Sequence, residues 1–167
     1  MRNIVLAGFM GTGKTAVGKE LSRLLSMRLV DIDHEVEQTE AMSIKDIFLT
    51  KGESYFRECE AEVIRKHAAE KKLIIATGGG AVLREDNLAA LRKNGMIFCL
   101  TARPETIFDR ISRNDDRPLL QGDERMGKIR DLLTSRTPRY EQAGIMIDTE
   151  NKTPLQIAEE IIGIAQK

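Results

Sequence analysis

The sequence predicts a three-layer α/β fold built on a parallel sheet, and three observations carry that prediction. Short apolar runs alternate with stretches of helical periodicity along all 167 residues. The runs are rich in Ile, Val and Leu, as strands read when helices cover both faces of a sheet. The first run leads straight into a glycine-rich turn, GFMGTGKT, at residues 8–15.

The elements follow in order. Strands are expected at 3–8, 29–32, 73–77, 96–101 and 145–148, which makes a five-stranded sheet with right-handed crossovers. Helices are expected at 14–26, 85–94, 104–112, 126–142 and 154–166. The last has Ala158, Ile161, Ile162 and Ala165 on one face, and Thr153-Pro154 supplies an N-cap and a proline at the first helical position. Two regions exceed the simple alternation. Residues 34–70 are too long for one crossover and read as a helical insertion in two or three pieces. Residues 114–125, NDDRPLLQGDER, are polar with Pro118 and Gly122, and read as a mobile loop between helices. The whole of 1–167 reads as one domain.

Composition excludes several classes. The 26 basic residues are balanced by 26 acidic ones, with no basic stripe, and aromatic residues make up 4%. Neither an electrostatic footprint nor a base-stacking platform for nucleic acid is present. No apolar run approaches the roughly 18 residues of a membrane span. The opening MRNIVLAGFMG continues into the glycine turn, so it reads as a core strand rather than a signal peptide. Cys59 and Cys99 form no C-x-x-C pair and read as two buried, reduced thiols of a cytoplasmic protein.

The turn at 8–15 has the spacing G-x-x-x-x-G-K-[ST], the Walker A loop. Gly8, Gly11 and Gly13 allow the backbone to wrap a ligand closely, so that successive N–H groups form an anion cradle. The N-terminus of the following helix adds its unpaired N–H groups, that of Ala16 among them. Lys14 places a cation near the β and γ phosphates of a nucleotide, and the Thr15 hydroxyl can ligate Mg²⁺. Gly11, Thr12, Gly13, Lys14, Thr15 and Ala16 are therefore the expected ATP contacts.

Other candidates gather at expected carboxyl ends of strands, where open α/β sheets bind ligands. Asp31 and Asp33 form D-I-D, and residues i and i+2 of a strand share a face. One carboxylate can hold Mg²⁺ through its waters, and the other can accept a hydroxyl proton. Gly78, Gly79 and Gly80 follow the third strand and can offer N–H groups to a close ligand. Arg57 lies in GESYFRECE, with Glu53 and Glu60 at helical spacing to orient it or to leave it an ordinary surface ion pair. Arg136 and Arg139 fall in SRTPRYEQ. Arg117 sits in the polar loop, which reads either as a plain surface loop or as a lid that brings a charge onto a nucleotide. His34 reads as a helix-start residue and His67 as part of an exposed face; neither has metal-ligand spacing.

The chain resembles the shikimate kinases along nearly its whole length. The pieces, in order, are GFMGTGKTAVG, DIDHEVE, SIKDIF, GESYFRECE, TGGGAV, RPLL and SRTPRYEQAGIMIDT. The resemblance implies a P-loop kinase with a five-stranded parallel sheet, a substrate-binding helical insertion after strand two, and a lid. It implies transfer of the γ-phosphate of ATP to the 3-hydroxyl of shikimate, in the pathway to chorismate and the aromatic amino acids. By the same resemblance Asp33 is the base and binds the shikimate hydroxyls, while Asp31 is the carboxylate near one Mg²⁺ per subunit. Arg57 and Arg136 grip the shikimate carboxylate, with Gly79 as a backbone donor and Gly78 and Gly80 beside it. Arg117 reaches the ATP phosphates, and Arg110 and the region of Pro154 enclose adenine. The expected catalytic set is Lys14, Asp33 and Arg117, in a cytoplasmic monomer with no nucleic-acid or membrane partner. One position departs from the common pattern: Ala16 stands where many members have a second Thr, so a side-chain contact to phosphate is missing while the N–H remains.

Two other readings fit parts of the pattern. One is a related P-loop kinase for gluconate or a nucleoside monophosphate. The other is a regulatory module that holds nucleotide or shikimate without turnover. The arginines and the GGG turn suit a small carboxylate and include nothing that reads a base. Lys14, Asp33 and Arg117 are all present, which favours turnover.

Overall fold

A computed structural model describes residues 1–113 and 124–167. Five strands form one parallel sheet in the order β2-β3-β1-β4-β5. They are β1 (Asn3–Gly8), β2 (Arg28–Asp31), β3 (Leu73–Ala76), β4 (Gly95–Thr101) and β5 (Ile145–Asp148). Among the described residues there are eight α-helices: α1 (Lys14–Leu25), α2 (Ile32–Glu40), α3 (Ile44–Thr50), α4 (Glu53–Ala68), α5 (Glu85–Asn94), α6 (Pro104–Ser112), α7 (Arg125–Ala143) and α8 (Pro154–Ala165). One short 3₁₀ turn, Ala81–Leu83, follows β3. None of these helices is long and apolar enough to cross a membrane.

The alternation of side chains along β1 divides the core in two. Ile4 and Leu6 pack with Val17 and Leu21 of α1 and with Ile157 and Ile161 of α8. Val5 and Ala7 face the opposite layer, with Ile64 of α4, Leu88 of α5 and Ile107 of α6. The expectation of strands buried on both faces holds for β1, β3 and β4. It fails at the edges, where β2 and β5 each bury only one residue fully. An edge strand lacks a neighbour on one side, and its short length leaves the ends open to solvent.

The segment between β2 and β3 is filled by α2, α3 and α4. Ser43 caps α3 by accepting from the Asp46 N–H at 3.1 Å. Four acidic residues of α2 are spread over different tasks. Glu35 meets His67 of α4, and Glu37 accepts from the Ile44 N–H at the start of α3. Glu40 accepts from Lys51, Tyr55 and Cys59. Asp33 is left on the face that looks toward the end of the sheet.

Three expectations need correction. His67 is not on an exposed face: it is 2% exposed. Phe56, Glu60, Ile64 and His67 recur at helical spacing, so both polar residues lie in the buried stripe of α4. Cys59 is only half-buried, and its thiol donates to Glu40 Oε1 at 3.4 Å. Cys99, in central β4, is fully buried, and burial pushes its thiol up to about 11. Finally, Asp31 and Asp33 do not share a strand face. β2 ends at Asp31, which becomes the N-cap of α2, and Asp33 stands in the first turn of that helix. Of the loop expected over 114–125, residues 114–123 lie outside the described residues, Arg117 among them; Arg125 already begins α7.

Candidate active site

The site starts from the end of β1, at the centre of the sheet. Gly8 holds φ +127°, and a Cβ there would lie 2.3 Å from the Leu100 carbonyl oxygen of β4, so only glycine lets the chain leave the sheet this way. Gly11 and Gly13 also have positive φ, 76° and 94°, and Gly13 hands the chain to α1 as its N-cap. Thr12 is buried and closes the loop on itself, its hydroxyl donating to the Phe9 carbonyl at 2.7 Å. The Lys14 ammonium donates to the carbonyls of Gly8 and Phe9 at 2.6 and 2.9 Å. Thr15 and Ala16 lie in the exposed first turn of α1.

Thr15 Oγ1 donates to Asp31 Oδ2 at 3.1 Å, while Asp31 Oδ1 accepts from the His34 N–H at 3.3 Å. A hydroxyl and a carboxylate therefore meet beside the loop. Mg²⁺ in phosphoryl-transfer sites is held by one or two such hard oxygens together with substrate phosphates. The described residues form no group of three or more His, Cys, Asp or Glu that could hold a metal ion.

A cavity of about 620 Å³ opens against this loop. Its floor is the turn after β3, and the three glycines there make room for side chains. A Cβ on Gly78 would lie 3.0 Å from both Asp33 Oδ1 and Glu60 Oε2, and one on Gly80 would lie 2.7 Å from an Arg57 nitrogen. Tyr140 of α7 donates to the Gly79 carbonyl at 2.6 Å, which fixes the turn. Burial pushes the Tyr140 phenol up, against a smaller downward pull from Arg136.

Arg57 enters from α4 and Arg136 from α7. Arg57 Nη1 donates to Glu60 Oε1 at 2.9 Å and Nη2 to Glu53 Oε1 at 3.4 Å; its guanidinium also lies 5.2 Å from the Phe56 ring centre. Both expected glutamates thus orient it. Arg136 stands 5.5 Å from the ring centre of Phe9. Both arginines face the cavity, together with Asp31 and Asp33. Arg139, in contrast, pairs with Glu85 outside it. Arg110 lies behind the loop and donates to the Gly11 carbonyl at 3.1 Å and to Thr149 Oγ1 at 3.4 Å. Pro154 is the exposed first residue of α8.

Glu60 is 1% exposed, and its Oε2 has no hydrogen-bond partner among the described residues. Burial holds its carboxyl above the ordinary carboxylate range, opposed by Arg57 and reinforced by the nearby Asp33 charge. The cavity wall also includes Met10, Ile44, Phe48 and Phe56. The sequence motifs SIKDIF and GESYFRECE contain Ile44, Phe48 and Phe56, which motif spacing alone did not single out.

The resulting chemistry is specific in outline. Two guanidinium groups suit a small carboxylate, an adjacent Asp suits a hydroxyl, and the loop suits a polyphosphate. Comparison with known proteins gives the same direction. The family model described as shikimate kinase matches residues 10–166. A shikimate kinase of Thermodesulfovibrio yellowstonii is 48% identical, over 97% of this chain and 94% of its own. One from Persephonella marina is 45% identical, over 98% of each. The structure of a shikimate kinase from Acinetobacter baumannii in complex with shikimate superposes with a TM-score of 0.95 at 36% identity, over 99% of this chain and 93% of that one. With the likeness running from the glycine loop to the last helix, the chain belongs to the shikimate kinase family.

Proposed function

We infer that the chain transfers the γ-phosphate of ATP to the 3-hydroxyl of shikimate, giving shikimate 3-phosphate and ADP for chorismate and aromatic amino acid biosynthesis. The observation that carries this reading is the convergence of Arg57, Arg136 and Asp33 on one cavity that opens on the phosphate-binding loop.

Arg57 and Arg136 grip the shikimate carboxylate from two elements, and the Gly79 N–H, between Gly78 and Gly80, completes that end. Asp33 accepts a hydrogen bond from the 3-hydroxyl. As that oxygen bonds to the γ-phosphorus, the bond from phosphorus to the ADP oxygen breaks and the proton passes to the Asp33 carboxylate. The N–H groups of Gly11 to Ala16 and the Lys14 ammonium hold the phosphates; Lys14 exchanges its loop carbonyls for phosphate oxygens. Arg117 adds a cation from the lid, and Arg110 and Pro154 flank the adenine. Thr15 and Asp31 would hold Mg²⁺, which when bound offsets negative charge on the phosphates. Phosphoryl transfer of this kind is positioning and charge stabilisation, so an Asp of ordinary acidity serves as base. One chain carries every proposed contact, which supports a monomer, and the two free cysteines suit the cytoplasm.

The test is a coupled assay of ADP release with shikimate, gluconate and AMP in parallel. Gluconate is the sharp control, because it also offers a carboxylate to the two arginines. Turnover dependent on shikimate and Mg²⁺ is expected. Turnover with gluconate or AMP alone would overturn the reading.

A further inference from the structure

The two arginines of the cavity are held in unlike ways. Arg57 pairs with Glu60 at 2.9 Å and with Glu53 at 3.4 Å, so carboxylates offset its charge before any ligand arrives. Arg136 has no ion pair among the described residues. Its guanidinium lies 5.5 Å from the centre of the Phe9 ring. Gly79 comes close as well, since a Cβ there would lie 3.5 Å from Arg136 Nη1. The groups nearest Arg136 are therefore an aromatic face and a glycine turn, both neutral.

Phe9 has two separate tasks. Its carbonyl belongs to the phosphate-binding loop, accepting from the Thr12 hydroxyl at 2.7 Å and from the Lys14 ammonium at 2.9 Å. Its ring is 1% exposed and forms no part of the cavity wall, so it reaches a ligand only through Arg136. Phe9 also occupies a variable position of G-x-x-x-x-G-K-[ST], so phosphate binding makes no demand on its side chain.

An aromatic face attracts a guanidinium through the ring quadrupole and supplies no counter-charge. A long side chain held in place beforehand loses less freedom when the ligand binds. A carboxylate in place of the ring would also fix Arg136, but would neutralise the charge that the ligand is to meet. We propose that Phe9 is a positioning residue for substrate recognition: its ring holds the Arg136 guanidinium ready for the incoming carboxylate and leaves that charge whole. Arg57, already paired, then supplies directed hydrogen bonds, and Arg136 supplies the net charge. The proposal rests on the reading of this cavity as the shikimate site.

The experiment changes the ring's electronics and nearly keeps its shape. The chain has five phenylalanines, so fluorinated phenylalanine is introduced at the Phe9 codon alone, with one, two and then three fluorines. Calorimetry gives Kd for shikimate and for ATP separately on the intact enzyme. Kd for shikimate is expected to rise stepwise with fluorine number and to reach about three- to tenfold for the trifluorinated ring. Kd for ATP is expected to stay within about twofold, because the loop contacts of Phe9 are made by its backbone. A residue that merely packs would respond to size and not to fluorine number. The trifluorinated ring at Phe98, buried in the opposite layer of the core, is the control and should leave Kd for shikimate within about twofold. A flat series at Phe9, an equal rise from Phe98, or a parallel loss of ATP affinity would overturn the proposal. Failure of the unsubstituted enzyme to bind shikimate or to release ADP with it would instead remove the functional reading beneath, and the proposal with it.

Discussion

Gly8 and Gly80 look alike in the sequence and do unlike things. At Gly8 the backbone is in a region other residues rarely adopt, and a Cβ would meet the Leu100 carbonyl at 2.3 Å. Gly8→Ala should therefore damage the fold itself. At Gly80 φ is −95°, which any residue tolerates, but a Cβ would lie 2.7 to 2.9 Å from the Arg57 guanidinium. Gly80→Ala is expected to raise KM for shikimate by about tenfold or more, the effect of ~1.4 kcal/mol, with little change in melting temperature. Kinetics and a thermal melt on the two variants check this, and a folding loss in Gly80→Ala with unchanged KM would contradict it. The sequence showed that the GGG turn was special, as a source of open N–H groups. It could not show that the missing side chains make room for Asp33, Glu60 and Arg57, because that depends on packing between distant elements. Glu60 carries a pH consequence of its burial. A carboxyl held above its ordinary value binds its proton more tightly in the folded than in the unfolded chain. Its contribution thus favours folding most below the ordinary value of 4.5, and declines as pH rises through the raised folded value. Glu60→Gln should lack that decline. Melting temperatures across this interval, compared between the two proteins, read it directly; parallel curves would show that Glu60 ionises at no extra cost.

At the scale of elements, local signals did well where chain chemistry decides and less well where a partner decides. Thr153-Pro154 marked the start of α8, and the structure has a full capping box there: Thr153 accepts from the Gln156 N–H at 3.2 Å, and the Gln156 side chain accepts from the Thr153 N–H at 2.9 Å. Thr153→Ala should lower stability by about 1 kcal/mol, a fall of roughly 2–4 °C in melting temperature for a chain of this length. Denaturation by urea measures the same loss, and no change in midpoint would mean that the packing of α8 on α1 makes the cap redundant. The junction at Asp31 went the other way. D-I-D was legible as a pair at the end of β2, and both carboxylates do line the cavity, but the strand alternation used to align them was wrong, because the Asp31 carboxylate accepts from the His34 N–H and starts α2 early. His67 was misplaced for a related reason. A polar residue in an apolar stripe is buried when its partners come from elsewhere, and here they come from α2 and the turn after α4.

The whole molecule joins two halves of a site that no single element contains. The apolar runs announced five strands but not their order, since β3 reaches β1 only after the chain has laid β2 outside it. That order puts the loop after β1, the turn after β3 and the insertion of α2, α3 and α4 around one cavity, with α7 closing another side. Shikimate held by Arg57 of α4 and Arg136 of α7 would bridge those parts, so its binding should appear as stability. A ligand at 100 times its Kd adds about 2.7 kcal/mol. That corresponds to a rise of roughly 5–10 °C in melting temperature for a domain of this size. Removing one arginine from a desolvated carboxylate costs about 2–5 kcal/mol of affinity, so Arg136→Ala at the same shikimate concentration should keep ~1 kcal/mol of that stabilisation or less. Arg139 sits three residues further along α7 and pairs with Glu85 outside the cavity, so Arg139→Ala should keep most of the shift even if its own baseline stability falls. Thermal shifts of the three proteins with and without shikimate, before any nucleotide is added, isolate this step from catalysis. A full shift in Arg136→Ala, or its loss in Arg139→Ala alone, would mean that the carboxylate is held elsewhere than at the α4–α7 mouth of the cavity.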